Sequence, residues 1–196
     1  MTDQNVANGN SLFTETNAKF GLQGDFNNFS LDGSSNESVV FSGDLSISSF
    51  SPSIHKVNQI GELKYLIGSD LSSDQFVVYP KPFTNTYQEI LDAIKEGKSI
   101  TDLLTKSVKD NLDIAYAAYL NGDTAKVSDY VELLEAIYFP LKLAYFATKD
   151  TMVVSQDITV SGEDPVVLNC NGIKFSGTSG ISSETQLTVI SETMIK

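Results

Sequence analysis

A chain of 196 residues, 41 % of them hydrophobic, can bury a real core as one domain or two small ones without disulfide or metal staples. All 13 basic residues are lysine, and against 25 acidic residues they leave a net charge of -12. Lacking arginine's planar fork and repelling polyanions, the composition argues against neutralising a nucleic-acid backbone or docking on an anionic membrane.

Ser, Thr, Asn and Gly make up the apolar shortfall, the balance of a β-rich protein with many turns. Cys170 is the only cysteine, so no intramolecular disulfide forms and the redox compartment stays open. The start, Met1-Thr2-Asp3-Gln4-Asn5, shows no basic n-region or apolar h-region, and no apolar run approaches the roughly 18 residues of a membrane span. The expectation is a soluble protein of the virion or the cytoplasm.

Residues 1–10 read as a polar arm with only Val6 and Ala7 to offer a core. Such an arm is expected to be held by contacts outside its own subunit. Residues 11–83 read as β: Phe20-Gly21-Leu22, Phe26 and Phe29-Ser30-Leu31 are short apolar pieces, and Asp32-Gly33 is a turn signal. The clearest strand runs from Ser38 to Phe50, where Leu45 and Ile47 alternate with Asp44, Ser46 and Ser48. Leu63, Tyr65 and Ile67 alternate likewise, and Phe76-Val77-Val78-Tyr79 is a β-forming run ended by Pro80 and Pro82.

From Thr84 the period becomes helical. Thr86-Tyr87-Gln88-Glu89 has the capping-box pattern ahead of Ile90, Leu91 and Ile94, and Gly97 closes the helix. Ser99 then caps a second helix through Ile100, Leu103, Leu104, Val108, Leu112, Ala115 and Tyr119, stopped by Asn121-Gly122. A third carries Val127, Tyr130, Val131, Leu134 and Ile137, kinks or breaks at Pro140, and resumes through Leu141, Ala144 and Tyr145.

After Thr151 the period returns to two. Val153, Ile158 and Val160 lead to Val166-Val167-Leu168-Asn169-Cys170, Asn171-Gly172 and Ile173-Lys174-Phe175, the pattern of a type I′ hairpin whose turn residues take positive φ. A last strand runs from Gln186 to Ile190. Phe41-Ser42-Gly43 with Ile47-Ser48-Ser49 is echoed by Phe175-Ser176-Gly177 with Ile181-Ser182-Ser183, either by chance or as two related β units.

Candidate chemistry is sparse. His55, the only histidine, sits in Ser53-Ile54-His55, a spacing with no catalytic meaning of its own, and no Gly-x-Ser-x-Gly elbow accompanies it. Cys170 reads as a small packed hydrophobe. Asp32 to Glu37 and Asp123 to Asp129 are the nearest candidates for calcium, but neither has the ligand spacing of a calcium loop, and both read as turns and caps. No phosphate-cradling or dinucleotide-binding glycine loop is present; Asn28 and Asn36 lie in Asn-x-Ser sequons.

The sequence therefore predicts an α+β fold: a mostly antiparallel β body, sandwich or barrel-like, with a three-helix insertion at about residues 84–149, the β segments 11–83 and 151–196 forming one domain. It points to no catalytic, cofactor-binding or metal-binding residue. The expected role is non-enzymatic: a structural subunit of a particle, tube or filament, such as a virion capsid, decoration or tail component, whose partners are copies of itself or other structural proteins. The alternatives are a carbohydrate- or ligand-binding β module and an enzyme of unfamiliar type using acidic residues.

Overall fold

The computed structural model describes residues 11–34, 38–68 and 76–196. The arm at residues 1–10, and with it the expectation that it docks elsewhere, lies outside the described residues. The fold is α+β, with five α-helices and two sheets, one parallel and one mixed, among the described residues. The chain divides into two compact units, one built from residues up to His55 and from Lys142 onward, the other from Lys56 to Leu141.

In the first unit, helix α1 (Leu12–Lys19) is followed by strands β1 (Val39–Phe41) and β2 (Ser53–Val57). After the second unit come β3 (Leu141–Val154), β4 (Ile158–Val160), β5 (Val166–Phe175), β6 (Ile181–Ser183) and β7 (Leu187–Ile195). One sheet has the order β1-β4-β6 and the other β2-β3-β5-β7. The chain crosses from one sheet to the other and returns one strand further along, so Ala144 lies beside Val166 and Val166 beside Leu187, offsets of 22 and 21 residues. Ile158 beside Ile181 repeats the step in the other sheet with an offset of 23.

This winding corrects the expectation of a mostly antiparallel body. The pairings β1 with β4, β4 with β6, β3 with β5 and β5 with β7 are all parallel, because each strand of one sheet serves as the crossover for the other. The Asn171-Gly172 hairpin is likewise overturned. Residues 166–175 form one unbroken strand held by β3 on one side and β7 on the other, and neither turn residue has positive φ. Running straight satisfies two ladders at once, where folding back would satisfy one.

Between the sheets lies an apolar cluster that includes Phe41, Phe146, Val154, Ile158, Val160 and Leu168, all fully buried. Each such side chain contributes about 1.5–3 kcal/mol. Alternate residues of β5 point the other way, and α1, absent from the sequence expectation, packs against β5 and β7 with Phe13, Thr16 and Asn17 buried. Ser11 caps this helix, its Oγ accepting from Thr14 N–H at 3.3 Å.

Other elements also differ from expectation. Only Val39–Phe41 of the long strand forms; beyond it the Asp44 carboxylate accepts from the N–H and hydroxyl of Ser46, and local turn bonds replace a ladder. Leu45 and Ile47 are left 67 % and 49 % exposed. Leu63, Tyr65 and Ile67 lie on helix α2 (Ile60–Ile67), where the three-residue spacing of buried Ile60, Leu63 and Leu66 outweighs the alternation. Past Pro140 the chain is β3 instead of a resumed helix, so the helical stretch ends at Tyr138.

In the second unit, helix α3 (Asn85–Lys95) begins after Thr84, and the capping box does not form. Helix α4 (Lys106–Asn121) starts later than expected, capped by Thr105, and stops at Gly122 as the sequence suggests. A 3₁₀ helix (Thr124–Tyr130) leads into α5 (Val131–Tyr138). Phe76 to Tyr79 is not a strand. Lys64 Nζ donates to the carbonyls of Tyr119 and Gly122 at 2.9 Å each, placing a cation at the carbonyl end of α4. Asn111 donates to the hydroxyls of Tyr87 and Tyr130 and accepts from Lys81 N–H, which closes a buried polar node.

Candidate assembly surface

The two ends of the parallel stack in the first unit are finished differently. At the β1 end, Val40 turns its N–H and C=O away from β4, and both are taken: the N–H donates to Ser49 Oγ at 3.0 Å, and the C=O accepts from Ser49 N–H at 2.8 Å. Ser42 N–H donates to Ser48 Oγ, and Phe50 lies over the core with its ring 5.5 Å from Phe29 and 5.4 Å from Phe41. The segment 44–50 is therefore a cap that closes both the strand edge and the apolar interior.

At the β7 end no described element does this. β6 and β7 are the last strands of their sheets. Val166 N–H donates to Gln186 C=O, so by alternation Gln186, Thr188 and Ile190 face β5, while the backbone groups of Leu187, Val189 and Ser191 face the open edge. The side chains continue the buried rows. Ala144 and Val166 are followed by half-buried Leu187, Phe146 and Leu168 by half-buried Val189, and Met152 and Ile173 by Met194, which is 65 % exposed. The last turn of the winding thus presents core residues with no further turn above them.

Between Glu184 and Glu192 the run Thr185-Gln186-Leu187-Thr188-Val189-Ile190-Ser191 contains no ionisable side chain and no proline, the devices that usually protect edge strands. That uncharged run, in a chain with net charge -12, was the readable signal of the surface. The sequence reading took the segment only as a final strand.

The residues singled out for chemistry lie elsewhere. Ser53 Oγ is 3.0 Å from His55 Nε2, and the imidazole packs edge-on against Phe20 at 4.9 Å. Burial holds the His55 pKa below its usual value, which keeps the ring neutral near pH 7. Among the described residues no carboxylate orients this ring, so the pair has no triad geometry. Cys170 is buried in the core, and desolvation pushes its thiol up to about 12. Asp32 accepts from the N–H and hydroxyl of Ser34, which hold its carboxyl below the usual range, and Asp123 caps the 3₁₀ helix through Ala125 N–H. Glu37 and Asn36 lie outside the described residues. The Asn28 amide is committed to the fold: it donates to the carbonyls of Ser51 and Tyr145 and accepts from Ala147 N–H. No group of three His, Cys, Asp or Glu among the described residues is placed to hold a metal ion, and no described helix is long and apolar enough to cross a membrane.

Comparison with protein-family models, curated proteins and solved structures finds no match to this chain.

Proposed function

We propose that this protein is a structural subunit whose role is to assemble, with copies of itself or with other structural proteins, and that the β6/β7 end of its first unit is a surface through which it does so. One observation carries this reading: a strand edge whose outward backbone groups have no partner among the described residues, flanked by core side chains left half-buried, in a unit whose β1 edge is capped. An edge of this kind recruits a further strand, since main-chain hydrogen bonds supply affinity and the open apolar rows supply area. Light scattering across a wide concentration range tests the reading. Growth of the mass with concentration is expected, and a monomer throughout would refute assembly with copies of itself.

A second reading, ligand binding, is favoured by a groove in the second unit of about 360 Å³, lined by Phe76, Val77, Val78, Ile114, Ala117, Ala118 and Asn121. Phe76 is 89 % exposed at its rim. Its apolar lining suits an apolar ligand better than a carbohydrate. A melting temperature that rises with such a ligand would support it; no shift across a panel of apolar compounds would remove it.

A further inference from the structure

We propose that two copies of this chain pair through β7 across a two-fold axis, antiparallel and centred on Val189, and that this contact closes on itself instead of propagating. The proposal rests on the assembly reading and specifies its geometry.

The unequal ends decide between closure and propagation. Head-to-tail stacking would lay β6 and β7 of one copy on β1 and β2 of the next, the far edges of the same two sheets, and would build a filament. At the β1 end, however, the outward N–H and C=O of Val40 are already bonded to Ser49, and Phe50 covers the core. In the sheet that holds β7 the far edge is β2, a five-residue strand preceded by Pro52 and carrying the exposed Lys56, the devices that blunt an edge against a further strand. The open end of one copy is then satisfied by the open end of another, and two identical edges brought together by a two-fold axis run antiparallel.

Backbone direction admits an axis at Leu187, Val189 or Ser191, and the start of β7 at Leu187 together with the bend after Ser191 centres the regular stretch on Val189. Leu187, Val189 and Ser191 direct their N–H and C=O outward, so the axis at Val189 makes Val189 exchange both hydrogen bonds with Val189 of the second copy. Leu187 then lies opposite Ser191, and Glu192 opposite Gln186. No two like charges face each other, a condition that matters for a chain of net charge -12. The bend helps to end the pairing there: Lys149 and Asp150 of β3 together oppose Asn171 of β5, and the inward rows change parity between Ser191 and Met194.

Cysteine cross-linking tests this on the full chain carrying Cys170→Ala. Residues paired at the axis have Cα atoms about 5.5 Å apart, within disulfide reach. Val189→Cys is therefore expected to give a covalent dimer under mild oxidation, whereas Thr188→Cys, which faces Ile190 of the second copy, is not. The unoxidised protein should show twice the chain mass at its association plateau. Cross-linking at neither position, equal cross-linking at both, or open-ended polymers would overturn the proposal. Larger assemblies lacking the Val189→Cys cross-link would do so while leaving the assembly reading intact, and a monomer at every concentration would end both this pairing and self-assembly.

Discussion

Tyr145 and Asn17, 128 residues apart in the chain, share a 2.5 Å hydrogen bond in which the buried tyrosine hydroxyl donates to the Asn17 side-chain oxygen. Asn169 donates to that same oxygen at 3.2 Å, to the Tyr145 hydroxyl at 2.8 Å and to the Phe13 carbonyl at 3.0 Å. Asn17 in turn donates to the carbonyls of Gly24 and Phe26. This network fastens α1 to the outer face of its sheet. Asn169 Oδ1 is buried with no partner in the network.

Asn17→Ala is expected to destabilise the protein by about 2–3 kcal/mol, because it strands several buried donors and acceptors at once. Asn169→Ala should cost less when Asn17 is already absent. Chemical denaturation of the single and double variants measures the coupling. Additive losses would show that the residues act independently.

Gly172 is required by its neighbours and not by its φ. A Cβ there would come 2.7 Å from Thr193 Oγ1 and 3.1 Å from Thr151 Oγ1. Gly172→Val is expected to destabilise by roughly 1–3 kcal/mol through overpacking, and Thr193→Ala in the same chain should recover part of the loss. Thermal melts of the two variants decide it; no recovery would point to a backbone cause instead.

His55 gives stability a pH dependence of defined sign. Its folded-state pKa lies below that of the unfolded chain because burial disfavours the imidazolium, so the unfolded chain binds the extra proton as pH falls through about 6.5. Stability from this group is present above that pH and is lost below it. His55→Gln should flatten the slope of unfolding free energy between about pH 7 and 5. An unchanged slope would place the titration elsewhere.

Cys170, its thiol pushed up to about 12 by burial, should be inert to thiol reagents in the native protein and react fully once denaturant unfolds it. Rapid native labelling would mean that the core between the sheets opens readily. Cys170→Ala, expected to cost on the order of 1 kcal/mol as a small cavity, should leave assembly unchanged.

The sequence revealed the mixed α+β content, the return to β structure after the helical segment and the helices around Ile90 and Leu112, since long amphipathic periods and the Asn121-Gly122 stop are local signals. The direction of the strands was not legible. Parallel winding with a step of 21 to 23 residues leaves no tight turn to read, and Asn171-Gly172 imitates one. The echo between Phe41-Ser42-Gly43 and Phe175-Ser176-Gly177 was a coincidence of composition: Phe41 aligns with Val160, whereas Phe175 aligns with Val154. The pair that the fold superposes is Ser42-Gly43 with Ser161-Gly162, where the Phe41 carbonyl accepts from Ser161 N–H. Helix α1 escaped notice because its buried face is largely polar, Thr16 and Asn17 beside Phe13, so no apolar stripe marks it. The open edge depends on which strand comes last in space, a property that only the topology reveals.

Hydrogen exchange at β7, followed amide by amide in dilute and in concentrated protein, tests the central claim most directly. Thr188 and Ile190 face β5, so their amides should be protected at both concentrations. The amides of Leu187, Val189 and Ser191 should exchange freely in dilute protein and become protected as it associates. If those three exchange freely at every concentration while the protein self-associates, β7 is not the assembly surface.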